Sequence, residues 1–205
     1  MTRLDCAMLS SAKEGLSRVN VALKGDIQLG SVREQMDQWR GIFDRAFNDD
    51  LFSLASFPAI DTDGGLVHIE APVRLAWEGE LIAAGQFLPW INRLEMSRSL
   101  DEKVVELALR KIEETGESVS VNLSVAAVAE PSFSVWISGQ LSAHKKAAEK
   151  LWMELSEPMA FRHLSAFKLL CARVKEYGAK IGVEHMGHQL AELGELHDVG
   201  LDYLK

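Results

Sequence analysis

Cysteine is scarce in this chain: two residues in 205, Cys6 and Cys171, far apart and outside any CxxC or Cys/His spacing. That excludes a disulfide framework and a cysteine-ligated metal, fits a reducing compartment, and leaves neither thiol marked as a nucleophile. Long apolar runs are missing too. None approaches the roughly 18 to 20 residues that cross a bilayer, and the N-terminus lacks the apolar core of a signal peptide. Positive charge is in deficit, with 22 Lys and Arg against 30 Asp and Glu and a net charge of -8. Phosphate backbones are held mainly by clustered cations, so DNA and RNA polymers and anionic membranes are poor partners, and any phosphate ligand must be held locally. What is present, 47% hydrophobic and 25% charged residues, is the composition of a globular protein large enough for a full core.

The first 22 residues read as a short helix with an apolar stripe through Leu4, Met8 and Leu9. A polar stretch with Gly25 and Gly30 follows, which places a domain boundary near residue 30 and divides the chain into 1–30 and 31–205. Met36, Trp39, Ile42, Phe43 and Ala46 recur at helical spacing and predict an amphipathic helix over 32–47. "LFSLASFPAI" (51–60) and "GLVHIEAPVRLAW" (65–77) read as two strands, made antiparallel by the turn residues of "DTDGG".

After that opening the order is helix then strand. A helix over 100–115 leads to "SVSVNLS", one around "FSVWISGQL" to "KLWMELSE", one over 161–177 to "AKIGVEH", and a short one to "LDYLK". Such alternation predicts a parallel sheet covered by helices, either a barrel or a doubly wound fold. Asn122, Glu154, Glu184 with His185, and Lys205 lie at or near C-terminal strand ends, and Glu70 lies within the second strand. In a parallel barrel those ends form one rim, where active sites are built. Carboxylates at strand ends also cap helices, so each alone has a purely structural reading. Glu184, His185 and His188 could form a small transition-metal site, but EHxxH is not the HExxH of zinc proteases. His68, His144, His163 and His197 lack a partner pattern and are expected on surfaces. The tryptophans at 39, 77, 90, 136 and 152 sit at core positions, with Trp90, in a loop at Pro89, placed to flank a ligand.

In this order the motifs resemble the EAL domain family of cyclic di-GMP phosphodiesterases, over about residues 35–205. "IEAPVRL" resembles the family signature, with Glu70 at the metal-binding glutamate and Arg74 at the phosphate-contacting arginine. "VNLS" matches at Asn122, and "MELSE" matches at Glu154, a metal ligand, with Glu157 in support. "QFLPWINRLEM" resembles the family's Phe-Ile-Pro helix start through Phe87 and Pro89. The stretch from Glu184 to Lys205 matches the segment that opens with Asp-Asp-Phe-Gly and closes on the catalytic lysine. The resemblance implies a modified TIM (β/α) barrel with an antiparallel first strand, incomplete at the C-terminus because two further strands follow Lys205 in the family. An excerpt of a longer protein is therefore expected. "LDCAMLSSAKEG" resembles the last helix of a GGDEF domain, which implies an adjacent GGDEF-like domain as partner.

The departures bear on chemistry. The family's two Mg²⁺ or Mn²⁺ ions are held by paired aspartates, here Glu184 and His185. Imidazole offers one nitrogen where a hard cation takes oxygen, and it cannot bridge two ions. Phe57 stands where the family often has glutamine, Pro72 replaces the signature leucine, and Met186 and "GHQLAE" replace the loop that organises the metals and the dimer face. The resemblance then implies a degenerate EAL domain, most like the LapD-type inner-membrane receptors. It would bind cyclic di-GMP through Arg74, Asn122, Glu154, Glu184, Lys205, Phe57, Pro72 and Trp90, and would not hydrolyse it. No cofactor is required. Mg²⁺ or Mn²⁺ would be confined to one residual site at Glu70, Asn122, Glu154 and Glu184, with Glu70 and Lys205 as catalytic remnants. Such receptors imply a second copy and an effector protein as further partners, and a cytoplasmic location beside the bacterial inner membrane. Two rivals are a working phosphodiesterase and an interaction module that has lost the nucleotide.

Overall fold

A computed structural model describes residues 31–187 and 199–205. The stretches expected to form the N-terminal helix and the GGDEF-like tail, Cys6, His188, His197 and most of the segment expected as a short helix before "LDYLK" lie outside them. The chain forms two compact units, Met1–Phe52 with Arg74–Met96, and Ser53–Val73 with Ser97–Lys205.

In the first unit, helix α1 (Val32–Asn48) begins at a capping box. Ser31 Oγ accepts from the Glu34 N–H at 3.3 Å, and the Glu34 carboxylate accepts from the Ser31 N–H at 2.6 Å. Trp39, Phe43 and Ala46, on the stripe foreseen from spacing, are buried. They meet helix α2 (Ala84–Arg93), where Trp39 stacks on Trp90 at 6.1 Å and Phe43 packs on Phe87 at 6.2 Å. Strands β4 (Val73–Trp77) and β5 (Glu80–Ala83) form an antiparallel hairpin. Both of its turn residues, Glu78 at φ 51° and Gly79 at φ 82°, are left-handed, as a tight two-residue hairpin requires.

The second unit holds a six-stranded sheet of order β2-β3-β6-β7-β8-β9. Its strands are β2 (Phe57–Ile60), β3 (Leu66–Glu70), β6 (Val119–Asn122), β7 (Leu151–Ser156), β8 (Lys180–Glu184) and β9 (Tyr203–Leu204). β2 is antiparallel to β3 and every later pairing is parallel. Each strand after β2 lies beside its predecessor and the order never reverses. A doubly wound sheet reverses at a switch point, whereas a barrel adds strands in one direction. Of the two architectures compatible with the alternation, the protein has the barrel type, as an open sheet with an antiparallel start. Helices α3 (Ser97–Thr115), α4 (Val125–Ala129), α5 (Pro131–Ala143), α6 (Lys145–Ala148), α7 (Glu157–Arg162) and α8 (Leu164–Lys175) connect the strands. α3 buries Leu100, Val104, Val105, Ala108, Leu109 and Ile112, each of the larger side chains contributing about 1.5–3 kcal/mol.

Four expectations need correction. The run 51–60 is two strands in different sheets, β1 (Phe52–Leu54) and β2, broken where the Ala55 N–H turns to the Pro72 carbonyl at 3.1 Å. The run 65–77 is likewise β3 and β4, because Pro72 has no N–H to continue a ladder. Pro89 lies inside α2, so Trp90 is helical and buried against Trp39 rather than on a loop. His68 is buried rather than on the surface, whereas His144 does lie at the surface, where it pairs with Glu113 at 2.7 Å.

Candidate functional site

Side chains in a strand alternate between faces, so residues two apart share one. Glu70 and His68 on β3, Asn122 and Ser120 on β6, Glu154 and Trp152 on β7, Glu184 and Gly182 on β8, and Lys205 and Tyr203 at β9 fall into such pairs. The register puts Asn122 opposite Glu154, Glu154 opposite Gly182, and Gly182 opposite Tyr203. A polar tier at the strand ends thus sits on a tier that carries rings.

Lys205 joins the polar tier together. Its ammonium pairs with the Glu70 carboxylate and lies 3.6 Å from Glu154 Oε2. Burial opposes its charge, but the hydrogen bond to Glu70 and the carboxylates of Glu154, Glu70 and Glu184 outweigh that and raise its pKa. Glu154, only 2% exposed, accepts from the Tyr203 hydroxyl at 2.9 Å through its other oxygen. Asn122 Nδ2 donates to Glu184 Oε1 at 3.0 Å. His185 Nδ1 is 3.4 Å from that same oxygen, yet its side chain is 76% exposed and its backbone is left-handed at φ 59°.

The structure therefore brings together Glu70, Asn122, Glu154, Glu184 and Lys205. Glu157 opens α7, fully buried, and accepts from the Gly187 N–H at 3.2 Å. Phe57 is half exposed and faces Glu70 in the β2–β3 register, with Pro72 following the same strand. Arg74 and Trp90 belong to the first unit. Cys171 is buried and its thiol is pushed up to about 12 by desolvation, which removes it as a nucleophile.

The tier beneath was not singled out from sequence. The His68 ring lies 4.6 Å from Trp152, which lies 5.0 Å from Tyr203, and Lys180 Nζ sits 4.1 Å over the Trp152 ring. Desolvation lowers the His68 pKa, and the ring stays neutral. Burial raises that of Tyr203, which remains a phenol donor. The available signal was the spacing: each ring stands two residues before a strand-end polar residue.

Hard divalent cations take several oxygen ligands. Glu70, Asn122, Glu154 and Glu184 have the right chemistry; one Glu70 oxygen pairs with Lys205, the Glu154 oxygens face Tyr203 and Lys205, and one Glu184 oxygen accepts from Asn122 Nδ2. Among the described residues no three His, Cys, Asp or Glu side chains group as metal ligands. At the place of the second aspartate that the resemblance implies, His185 offers an imidazole, which cannot bridge two hard cations.

Residues 40–205 match the EAL domain family. The chain is 27% identical over 167 residues to the cyclic di-GMP phosphodiesterase PdeF of Escherichia coli (strain K12), covering 78% of this chain and 22% of that protein. Vibrio cholerae LapD S helix-GGDEF-EAL, bound to c-di-GMP, superposes with a TM-score of 0.79 at 24% identity, covering 98% of this chain and 49% of that one. The Xanthomonas citri FimX EAL domain in complex with c-diGMP gives 0.75 at 23% identity, covering 84% and 70%. These structural likenesses show the fold, and the chain spans about a fifth of PdeF and half of the LapD chain. On its motifs, its barrel-type sheet and this match, the chain belongs to the EAL domain family.

Proposed function

We propose that this domain is a receptor that binds cyclic di-GMP and does not hydrolyse it. The observation that carries the reading is the state of the paired-acid position. His185 stands where the resemblance puts an aspartate, its side chain turned largely to solvent, while Glu70 and Glu154 share the Lys205 ammonium. Two-ion phosphodiester cleavage needs carboxylates that clamp both the attacking and the leaving oxygens. A pocket in which an imidazole takes the second acid's place keeps hydrogen-bonding groups for a nucleotide and lacks that clamp. Arg74 keeps the phosphate-contacting role that the resemblance implies. For the whole protein we propose an adjacent GGDEF-like domain, a place at the bacterial inner membrane, and signalling in which the ligand favours one of two states.

A second reading, slow hydrolysis, is favoured by the retention of Glu70, Asn122, Glu154 and Lys205 in one cluster and by the likeness to PdeF. One experiment separates them. Titration calorimetry in EDTA should give saturable cyclic di-GMP binding, lost in Arg74→Ala, and incubation with Mn²⁺ should return the cyclic dinucleotide intact. Linear dinucleotide formed at many turnovers per hour makes the domain an enzyme, and no heat with either metal or chelator leaves only a protein-interaction role.

A further inference from the structure

Strand β9 is only Tyr203–Leu204, yet it decides where Lys205 stands. So short a strand has little of its own to specify register, and a slip of one residue turns every side chain to the opposite face. Lys205 would then leave Glu70 and Glu154. Asp202, the residue before β9, is bonded to Ile181 of β8 at two points: its N–H donates to the Ile181 carbonyl, and its carboxylate Oδ2 accepts from the Ile181 N–H, each at 2.9 Å. Both backbone groups of one fully buried residue are thus engaged by a single neighbour. Past Asp202 the ladder continues, with the Lys205 N–H on the Val183 carbonyl at 2.9 Å and the Met186 N–H on the Lys205 carbonyl at 3.1 Å. The other Asp202 oxygen lies 3.6 Å from Lys175 Nζ of α8. The approach to β9 is set as well: Gly200 has φ 73°, a left-handed turn that other residues enter only with strain, and a Cβ there would stand 3.2 Å from Lys175 Nζ.

We propose that Asp202 is a positioning residue that pins β9 in register and so delivers Lys205 to the strand-end cluster. A buried N–H left without an acceptor bears its full desolvation penalty, so loss of the carboxylate leaves Ile181 unpaired or draws β9 out of place to pair it. The register observed puts Gly182 beside Tyr203 and Val183 beside Leu204. In it the Lys205 ammonium pairs with Glu70 and lies 3.6 Å from Glu154 Oε2. An amide at position 202 can still accept the Ile181 N–H; a methyl cannot. The proposal deepens the receptor reading and rests on it for the nucleotide arm of the test alone.

The experiment has two arms, both on the whole chain. Without nucleotide, amide hydrogen exchange followed by NMR should show the Ile181 and Lys205 amides protected in the wild type. In Asp202→Ala both should exchange about tenfold faster or more while Val121, within β6, keeps its protection, and Asp202→Asn should restore most of the difference. In the second arm, cyclic di-GMP affinity should fall about tenfold in Asp202→Ala and recover in Asp202→Asn. Adding Asp202→Ala to Lys205→Ala should cost no further affinity, because the two act through one ammonium. Free exchange at Ile181 and Lys205 in the wild type overturns the proposal, and so does loss of Ile181 protection in Asp202→Asn, whether or not Asp202→Ala folds. Unchanged exchange in Asp202→Ala, or an affinity loss that adds in full to that of Lys205→Ala, overturns it too. If the wild type binds no cyclic di-GMP, the receptor reading falls and the exchange arm decides this one by itself.

Discussion

At the scale of single residues, His185 carries two separable features, a left-handed backbone and a solvent-turned imidazole. Left-handed conformation costs an ordinary L-residue about 1–2 kcal/mol, and glycine escapes it at some expense of unfolded-state entropy. His185→Gly should therefore raise stability by up to about 1 kcal/mol in urea unfolding, and His185→Val should lower it by about as much. Since the imidazole is 76% exposed and meets the cluster only at the Glu184 carboxylate, 3.4 Å away, His185→Gly should also leave cyclic di-GMP affinity unchanged. A loss of binding would make the imidazole a ligand contact and the backbone account insufficient. The identities of Glu70, Asn122, Glu154, Glu184 and Lys205 were legible in the sequence because polar residues at apolar strand ends stand out. Gly182 was not, because a glycine in a strand is ambiguous until its neighbour's ring is known to lie where a Cβ would be.

At the scale of elements, the loop after β6 that carries Asn122 is tied to α3 by a buried carboxylate. Asp101, 5% exposed, accepts from the Ser124 N–H at 2.9 Å and from its hydroxyl at 2.5 Å, while Ser124 itself caps α4. Desolvation raises the Asp101 pKa to about 7, against the lowering effect of the Ser124 hydrogen bonds. The folded state therefore holds a proton that the unfolded state, with a pKa near 3.8, has released. Stability should fall as pH rises from about 4 to 7, at up to about 1.4 kcal/mol per unit from this group, and then level off. In Asp101→Asn, which keeps a side-chain acceptor for Ser124, that slope should be absent. Chemical denaturation at a series of pH values reads the difference, and identical slopes in the two proteins would remove Asp101 as its source. The elements themselves were legible where their period was long and regular, as in α1, α3 and β7. The breaks at Ala55–Ser56 and Ala71–Pro72 were hidden inside continuous apolar runs. β5 was missed because four residues, "ELIA", are too few to show a period.

At the scale of the whole molecule, charge decides which phosphate ligands are admissible. The chain carries -8 overall, and Lys205, the cation at the strand ends of the second unit, is already paired with Glu70 and close to Glu154. A nucleic-acid polymer gains affinity by replacing condensed counterions with many protein cations, which a surface of net negative sign cannot offer. A cyclic dinucleotide asks for much less: two phosphates, local hydrogen bonds and surfaces for two bases. On the proposed receptor reading, the pocket would take the small ligand and the surface around it would disfavour the large one. Fluorescence anisotropy with a labelled single-stranded RNA should show no binding at ~0.15 M salt up to ~100 µM protein, the weak end of ordinary non-specific affinity. Low-micromolar binding that weakens steeply with added salt would mean that a basic stripe is assembled despite the overall charge, and the exclusion of nucleic-acid partners would fall. Binding that ignores salt would point instead to base stacking on exposed rings, with the half-exposed Phe57 as the first side chain to replace.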